Sequence, residues 1–279
     1  MTLRRLVSLL CLPACAVIVA GCGLSHDTVS FDPVASAATK TATTTSARVA
    51  FHASMDVEGV GGMSYDGTGV FDGRTKSAAM EARFTFPQAD QAQLGGAEPT
   101  MQMILIGRGG FVLYMRSPLF KTLAPGTWVK ADLQKLASKT GFDLGALLNG
   151  NQADPTSQLM MLMSSKDAKV VNFDRVRGVL TTHYAFNVDL ERLAKGSKEL
   201  KQAFDFLKKF TGVSSFPAEA WIDSQGRVRR IKVQMSMNGG QAPTGLNMTV
   251  TEDLYDFGVK ANIHAPTGNV VDMTALTGS

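Results

Sequence analysis

The chain has 279 residues, with 28 Lys and Arg against 24 Asp and Glu and a formal net charge of +4 at pH 7. The cations are scattered, dense only at Lys208-Lys209 and from Arg227 to Arg230. No basic–aromatic interleaving marks a nucleic-acid partner, and none is expected. The three cysteines, Cys11, Cys15 and Cys22, all lie near the start, which excludes a disulfide framework and paired-cysteine zinc sites from everything downstream.

Arg4 and Arg5 precede an uncharged apolar run over residues 6–20, the n-region and h-region of a secretion signal. The run is shorter than the roughly 20 apolar residues of a membrane span, and Pro13 interrupts it. It ends in Val19-Ala20-Gly21-Cys22. An apolar residue, two small residues and a cysteine resemble the bacterial lipobox, whose cysteine receives diacylglycerol and becomes the new N-terminus. That resemblance implies a signal peptide over 1–21, lipid attachment at Cys22, a lipidated tether over 22–32 and a single domain over 33–279. The domain would sit at the extracytoplasmic face of a cell membrane, held there by acyl chains worth about 0.8 kcal/mol per buried methylene.

Pro33 behind Asp32 reads as the start of a short helix. Period-two alternation follows: Val49, Phe51, Ala53, Met55 and Val57 against Arg48, His52, Ser54, Asp56 and Glu58, a strand with one buried face. After a turn over 59–62, strand character resumes near 68–71, and Asp72-Gly73 turns the chain again. Ala78, Met80, Ala82, Phe84 and Phe86 then oppose Glu81, Arg83 and Thr85, so an antiparallel sheet is laid down hairpin by hairpin. Strands over 101–106 and 111–115 flank a Gly-rich turn, and a short one covers 128–130. Between 132 and 163 the period becomes helical, with patches at Leu133, Leu136 and Ala137 and at Leu144, Leu147 and Leu148. Strands return over 168–173 and 179–188. The longest helix is expected over 189–210, with Leu193, Leu200, Phe204, Leu207 and Phe210 near one stripe. Strands over 218–223, 228–237 and 246–257 finish the chain, the first two joined by Ser224-Gln225-Gly226. The expected fold is α+β: an antiparallel sheet of about ten or eleven strands, with helices forming a second layer.

Nothing in this pattern is catalytic. There is no Gly-x-Ser-x-Gly elbow, P-loop or dinucleotide fingerprint, and an enzyme is not expected. His26, His52, His183 and His264 are far apart without metal-type spacing, so neither a metal nor another cofactor is expected. His52 and His183 fall on the polar faces of their strands and are expected in solvent. Asp223, just before a hairpin, reads as a carboxylate that accepts backbone donors across the turn. Trp128 and Trp221 are expected in the core or at a cavity rim.

A set of segments resembles a known family. They are Ser46-Ala47-Arg48-Val49, the stretch from Tyr114 to Trp128-Val129-Lys130, and Arg177-Gly178 with Thr182-His183-Tyr184. To these add Pro217-Ala218-Glu219-Ala220-Trp221-Ile222-Asp223 with Gly226-Arg227-Val228, and Tyr255-Asp256-Phe257-Gly258. In order and spacing they resemble the actinobacterial lipoprotein family of LppX, LprA, LprF and LprG, over roughly residues 32–276. The resemblance is one of strands and turns, not of reactive residues. It implies a strongly curved half-barrel sheet related to LolA and LolB, helices over its concave face, and acyl chains of lipids or lipoglycans held between. It further implies carriage or presentation of lipids in the cell envelope.

The alternation nominates cavity residues for such a site: Phe51, Met55, Met80, Phe84, Met103, Leu113, Leu147, Met161, Tyr184, Phe186 and Met235. Unbranched thioethers suit variable apolar ligands, although methionine also fills ordinary core gaps. Gly141, Gly145 and Gly150 would let the middle helices move. The expected partners are acyl chains and, through Cys22, the membrane. A membrane transporter is a candidate partner, and the chain is expected to be a monomer. The alternative is a scaffold or sensor lipoprotein of the same fold with a closed, ligand-free core.

Overall fold

From Ser46 onward the period-two pattern becomes strand pairing. The structure, a computed structural model, describes residues 32–42, 46–59, 61–87, 99–108, 110–118, 120, 126–135, 162, 165–194, 201, 204–205, 208–209, 212–237 and 245–273. Helix α1 (Pro33–Ala42) opens them, and Asp32 Oδ1 caps it by accepting from the backbone N–H groups of Val34 at 2.9 Å and Ala35 at 3.1 Å. Strands β1 (Ser46–Val57), β2 (Gly61–Asp72), β3 (Ser77–Thr85), β4 (Thr100–Ile106), β5 (Val112–Arg116) and β6 (Trp128–Asp132) form one antiparallel meander. A second runs through β7 (Ser165–Val176), β8 (Val179–Asp189), β9 (Ser215–Asp223), β10 (Val228–Met237) and β11 (Leu246–Tyr255). Helix α2 (Leu190–Leu193) follows β8, capped by Asp189.

The meanders join where β1 pairs with β11, from Arg48 opposite Tyr255 to Val57 opposite Leu246. A last strand, β12 (Val270–Asp272), lies parallel beside β6, so the sheet order is β12-β6-β5-β4-β3-β2-β1-β11-β10-β9-β8-β7. The sheet is open, with β12 and β7 at its edges.

Among the described residues twelve strands thus stand where ten or eleven were expected. Val270–Asp272 is too short to show alternation. β2 also begins at Gly61, inside the expected turn, because Gly61 and Gly62 pair with Val57 and Asp56. Glycines carry no side chain to alternate, and the signal fades there. Of the expected helix over 189–210 the described residues show α2 and helical positions at 201, 204–205 and 208–209. Of the helical region over 132–163 they show 133–135 and Leu162; the rest lies outside them, as do Cys22, Leu147 and Met161.

Arg177 (φ 48°) and Gly178 (φ 81°) make the tight β7–β8 turn, both in the left-handed region that a two-residue hairpin of this twist demands. Helix α1 packs on β7, β9 and β10 and buries Val34, Ala37 and Ala38 in one core with Val49, Phe71, Leu105, Val188, Ile231 and Leu254. Buried Thr41 Oγ1 accepts the Val228 N–H at 2.8 Å, where the β9–β10 register shifts and the ladder loses a partner.

Candidate functional site

Residues directly opposite each other in the ladders share a face, so the registers sort the candidates. One row runs Phe186, Ala218, Val233, Val250, Ala53, Tyr65, Phe84 across β8, β9, β10, β11, β1, β2 and β3. The next runs Tyr184, Ala220, Ile231, Glu252, Phe51, Gly67, Ala82 and Met101. A third is made wholly of methionine: Met235, Met248, Met55 and Met63 on β10, β11, β1 and β2. A second methionine row, Met80, Met103 and Met115, crosses β3, β4 and β5. Leu113 lies opposite Leu105, and Leu105 opposite Ala78, on the same face. Every cavity candidate among the described residues therefore lies on the one sheet face that α1 covers.

That face is not uniform. Toward α1 it is packed: Val49, Phe71, Ala78, Leu105, Phe186, Val188 and Ile231 are buried, and Leu113, Tyr184, Phe51 and Met235 lean on that core. Away from α1 the apolar side chains are only half-buried, among them Met55, Met63, Tyr65, Met80, Phe84, Met103 and Met248. Aromatic rings step across this region: Phe51 to Tyr65 at 5.7 Å, Tyr65 to Phe84 at 5.6 Å and Phe84 to Phe86 at 6.1 Å. Gly67 makes room for them. A Cβ there would stand 2.1 Å from the Phe51 ring and 2.7 Å from the Glu81 carbonyl oxygen. Met63, Tyr65 and Met248 are members that sequence reading missed: glycines break the alternation of β2, whereas Leu246, Met248 and Val250 alternate cleanly with Asn247, Thr249 and Thr251, so for Met248 the signal was there. Glu252, buried between Phe51 and Ile231, is the carboxylate of this face; its place between apolar rows gives no sequence signal.

The opposite face is polar. A groove of about 490 Å³ is lined there by His52, Asp66, Glu81, Arg83, Arg230 and Asp253 among others, a surface unsuited to acyl chains. His52 is exposed, as expected, with Nδ1 2.7 Å from Asp66 Oδ1. His183 is not exposed: at 8% accessibility it stacks on Trp221, directly opposite on β9, at 4.1 Å and 6°. Glu219 Oε2 at 2.7 Å and Asn172 Oδ1 at 3.3 Å engage its two nitrogens. Partners from both flanking strands bury it, and alternation within one strand cannot show them. The tryptophans are buried, but on this face and not at a cavity rim: Trp221 between His183 and Arg230, Trp128 under Arg116.

Asp223 does what its position promised. Oδ1 accepts from the N–H groups of Gln225 at 2.9 Å and Arg227 at 3.0 Å, and Oδ2 receives Arg227 and Arg229. Burial pushes its carboxyl pKa up, but the Arg227 N–H and the Arg229 and Arg227 side chains outweigh that and hold it below the ordinary carboxylate range. Among the described residues no group of His, Cys, Asp and Glu is placed to hold a metal ion. No helix among them is long and apolar enough to cross a membrane.

The molecule is thus of the α+β class, an open antiparallel half-barrel sheet with an apolar, helix-bearing face and a polar one. Among solved structures it is similar to LprF from Mycobacterium bovis, at 13% identity over 85% of this chain and 96% of that one, with a TM-score of 0.46. It is similar also to the Mycobacterium tuberculosis lipoprotein LppX, at 13% identity over 84% and 100% of the two chains, TM-score 0.45. A LolA superfamily protein from Nitrosomonas europaea matches at 10% identity over 82% and 93%, TM-score 0.30. The first two are the lipoproteins that the strand-and-turn segments resemble. No family model matches the chain, and no curated protein does. Likenesses this distant leave function to the chain's own residues.

Proposed function

We propose that this chain is a lipid-anchored envelope lipoprotein that holds acyl chains of lipids or lipoglycans against its apolar sheet face and carries or presents them. Residues 1–21 are the signal peptide, Cys22 bears the lipid, 22–32 are the tether and 33–279 the binding domain at the extracytoplasmic face. The single observation that supports binding is the pair of methionine rows beside stepped aromatic rings on a half-buried face. Thioethers repack around chains of differing length, and each methylene buried contributes about 0.8 kcal/mol without a directional bond. Phe51, Met55, Met80, Phe84, Met103, Tyr184 and Met235 line the contact, with Phe186 and Leu113 at its packed end; Leu147 and Met161 are the remaining cavity candidates. The reading contains no catalytic step.

The test is native mass spectrometry of the chain produced in an actinobacterial host. Lipid adducts that vanish on delipidation and return with added phospholipid are expected. An adduct-free mass that also refuses phospholipid overturns the reading.

A further inference from the structure

The β7–β8 hairpin carries large apolar side chains in water: Phe173 is 72% exposed, Val170 57%, Leu180 56% and Val171 53%. They are not scattered. Val170 lies opposite Tyr184, Phe173 opposite Thr182 and Leu180 opposite Arg175, so Val170, Phe173 and Leu180 continue the apolar sheet face out to its β7 edge. Val171 stands at the register shift between Val170 and Asn172. Arg175, exposed beside Leu180, gives this face of the tip a cation, while Asp174, opposite Thr181, points to the other face.

Three kinds of occupant would cover such an edge: an added strand, a second copy or a bilayer. Strand addition needs a regular row of free backbone groups. β7 interrupts that row twice, between Lys166 and Lys169 and between Val170 and Asn172, with Asp167 at φ 58°. Bulges of this kind are how edges refuse another strand. A bilayer interface, in contrast, asks for side chains alone: apolar groups to enter the acyl boundary and cations to meet anionic headgroups. The position of Asp32 favours it. Ser165 Oγ, at the start of β7, donates to Asp32 Oδ2, so the first described residue lies against this edge strand. Phe173 lies about 26 Å farther along β7 at 3.3 Å per residue. The ten or so residues back to Cys22 reach up to about 33 Å when extended.

We infer that the β7–β8 hairpin is a membrane-docking lip: Val170, Val171, Phe173 and Leu180 enter the outer leaflet of the membrane that anchors Cys22, and Arg175 pairs with anionic lipid headgroups. The lip brings the edge of the apolar face to the surface from which acyl chains would come. The inference uses the anchor reading of Cys22 for its geometry and deepens the proposed function.

The experiment uses the full chain in phosphatidylglycerol vesicles, with and without bromine on the acyl chains. Trp128 and Trp221 are both buried, out of reach of the bromines, so the emission that Phe173→Trp adds to that of the parent chain reports on the new indole's surroundings. Its emission is expected to lose most of its intensity in brominated vesicles, while Gln234→Trp, exposed on the polar face, keeps its intensity. Equal emission from Phe173→Trp in both vesicles overturns the inference. So does an added emission, over the parent chain, that is blue-shifted without lipid and shows no bromine quenching, which would mean that a protein copy covers the patch. The mass at Cys22 separates this outcome from the anchor. Diacylglycerol on Cys22 without quenching retires the lip and keeps the anchor; quenching with unmodified Cys22 keeps the lip and retires the anchor.

Discussion

Asp223 ties the β9–β10 turn together with a single side chain. Only 2% of it is exposed, and two arginines and two backbone N–H groups converge on its oxygens. Because its carboxyl titrates below the ordinary range near 4, its stabilisation is complete above that range and drains away as pH falls through the lowered value. Asp223→Asn keeps the shape but leaves two half-buried guanidinium groups without their shared charge. It should cost about 3 kcal/mol at pH 7 in urea unfolding, a gap that narrows at pH 3. Sequence position alone made this residue legible, since a carboxylate before a Ser-Gln-Gly turn has few other uses. His183 was not legible. Its burial comes from Trp221, Glu219 and Asn172 on neighbouring strands, and no single-strand pattern reports which residues lie across a ladder.

At the scale of elements, apolar alternation along β1, β3, β8 and β10 was enough to put Phe51, Met55, Met80, Phe84, Tyr184 and Met235 on one face. The registers add what alternation lacks, namely that methionines from four successive strands stand in one row. Met55 is its centre, flanked by Met248 and Met63. Met55→Glu should cut co-purifying lipid severalfold while the circular dichroism of the sheet persists, because an unpaired carboxylate in an apolar contact is costly. Arg48→Glu, on the polar face of the same strand, should leave the lipid content unchanged. β2 escaped full recognition because Gly61, Gly62, Gly67 and Gly69 empty its pattern, yet Gly67 is there for space. Gly67→Ala forces a methyl group against the Phe51 ring and the rigid Glu81 carbonyl, and should lower stability by about 1–3 kcal/mol in the same unfolding assay.

For the molecule as a whole, the proposed function makes stability depend on what occupies the half-buried apolar face. A ligand present at a hundred times its dissociation constant adds about 2.7 kcal/mol. In a domain of this size that corresponds to a fall in Tm of roughly 5–10 °C on delipidation, reversed by adding lipid back. A Tm indifferent to delipidation would mark a closed core. The antiparallel class was legible from the many alternating runs. The joining of β1 to β11 was not, because pairing between the first and next-to-last strands leaves no local trace. That seam sets an order of events for a chain synthesised N-terminus first. The meander from β1 to β6 can zip as it emerges, whereas β1 must wait with one side bare until β11 has followed, nearly two hundred residues later. Two neighbours emerging together hold identical bare sides and identical late halves. An exchange of β7–β12 between them satisfies every ladder, and refolding of this protein at high concentration should therefore yield intertwined pairs.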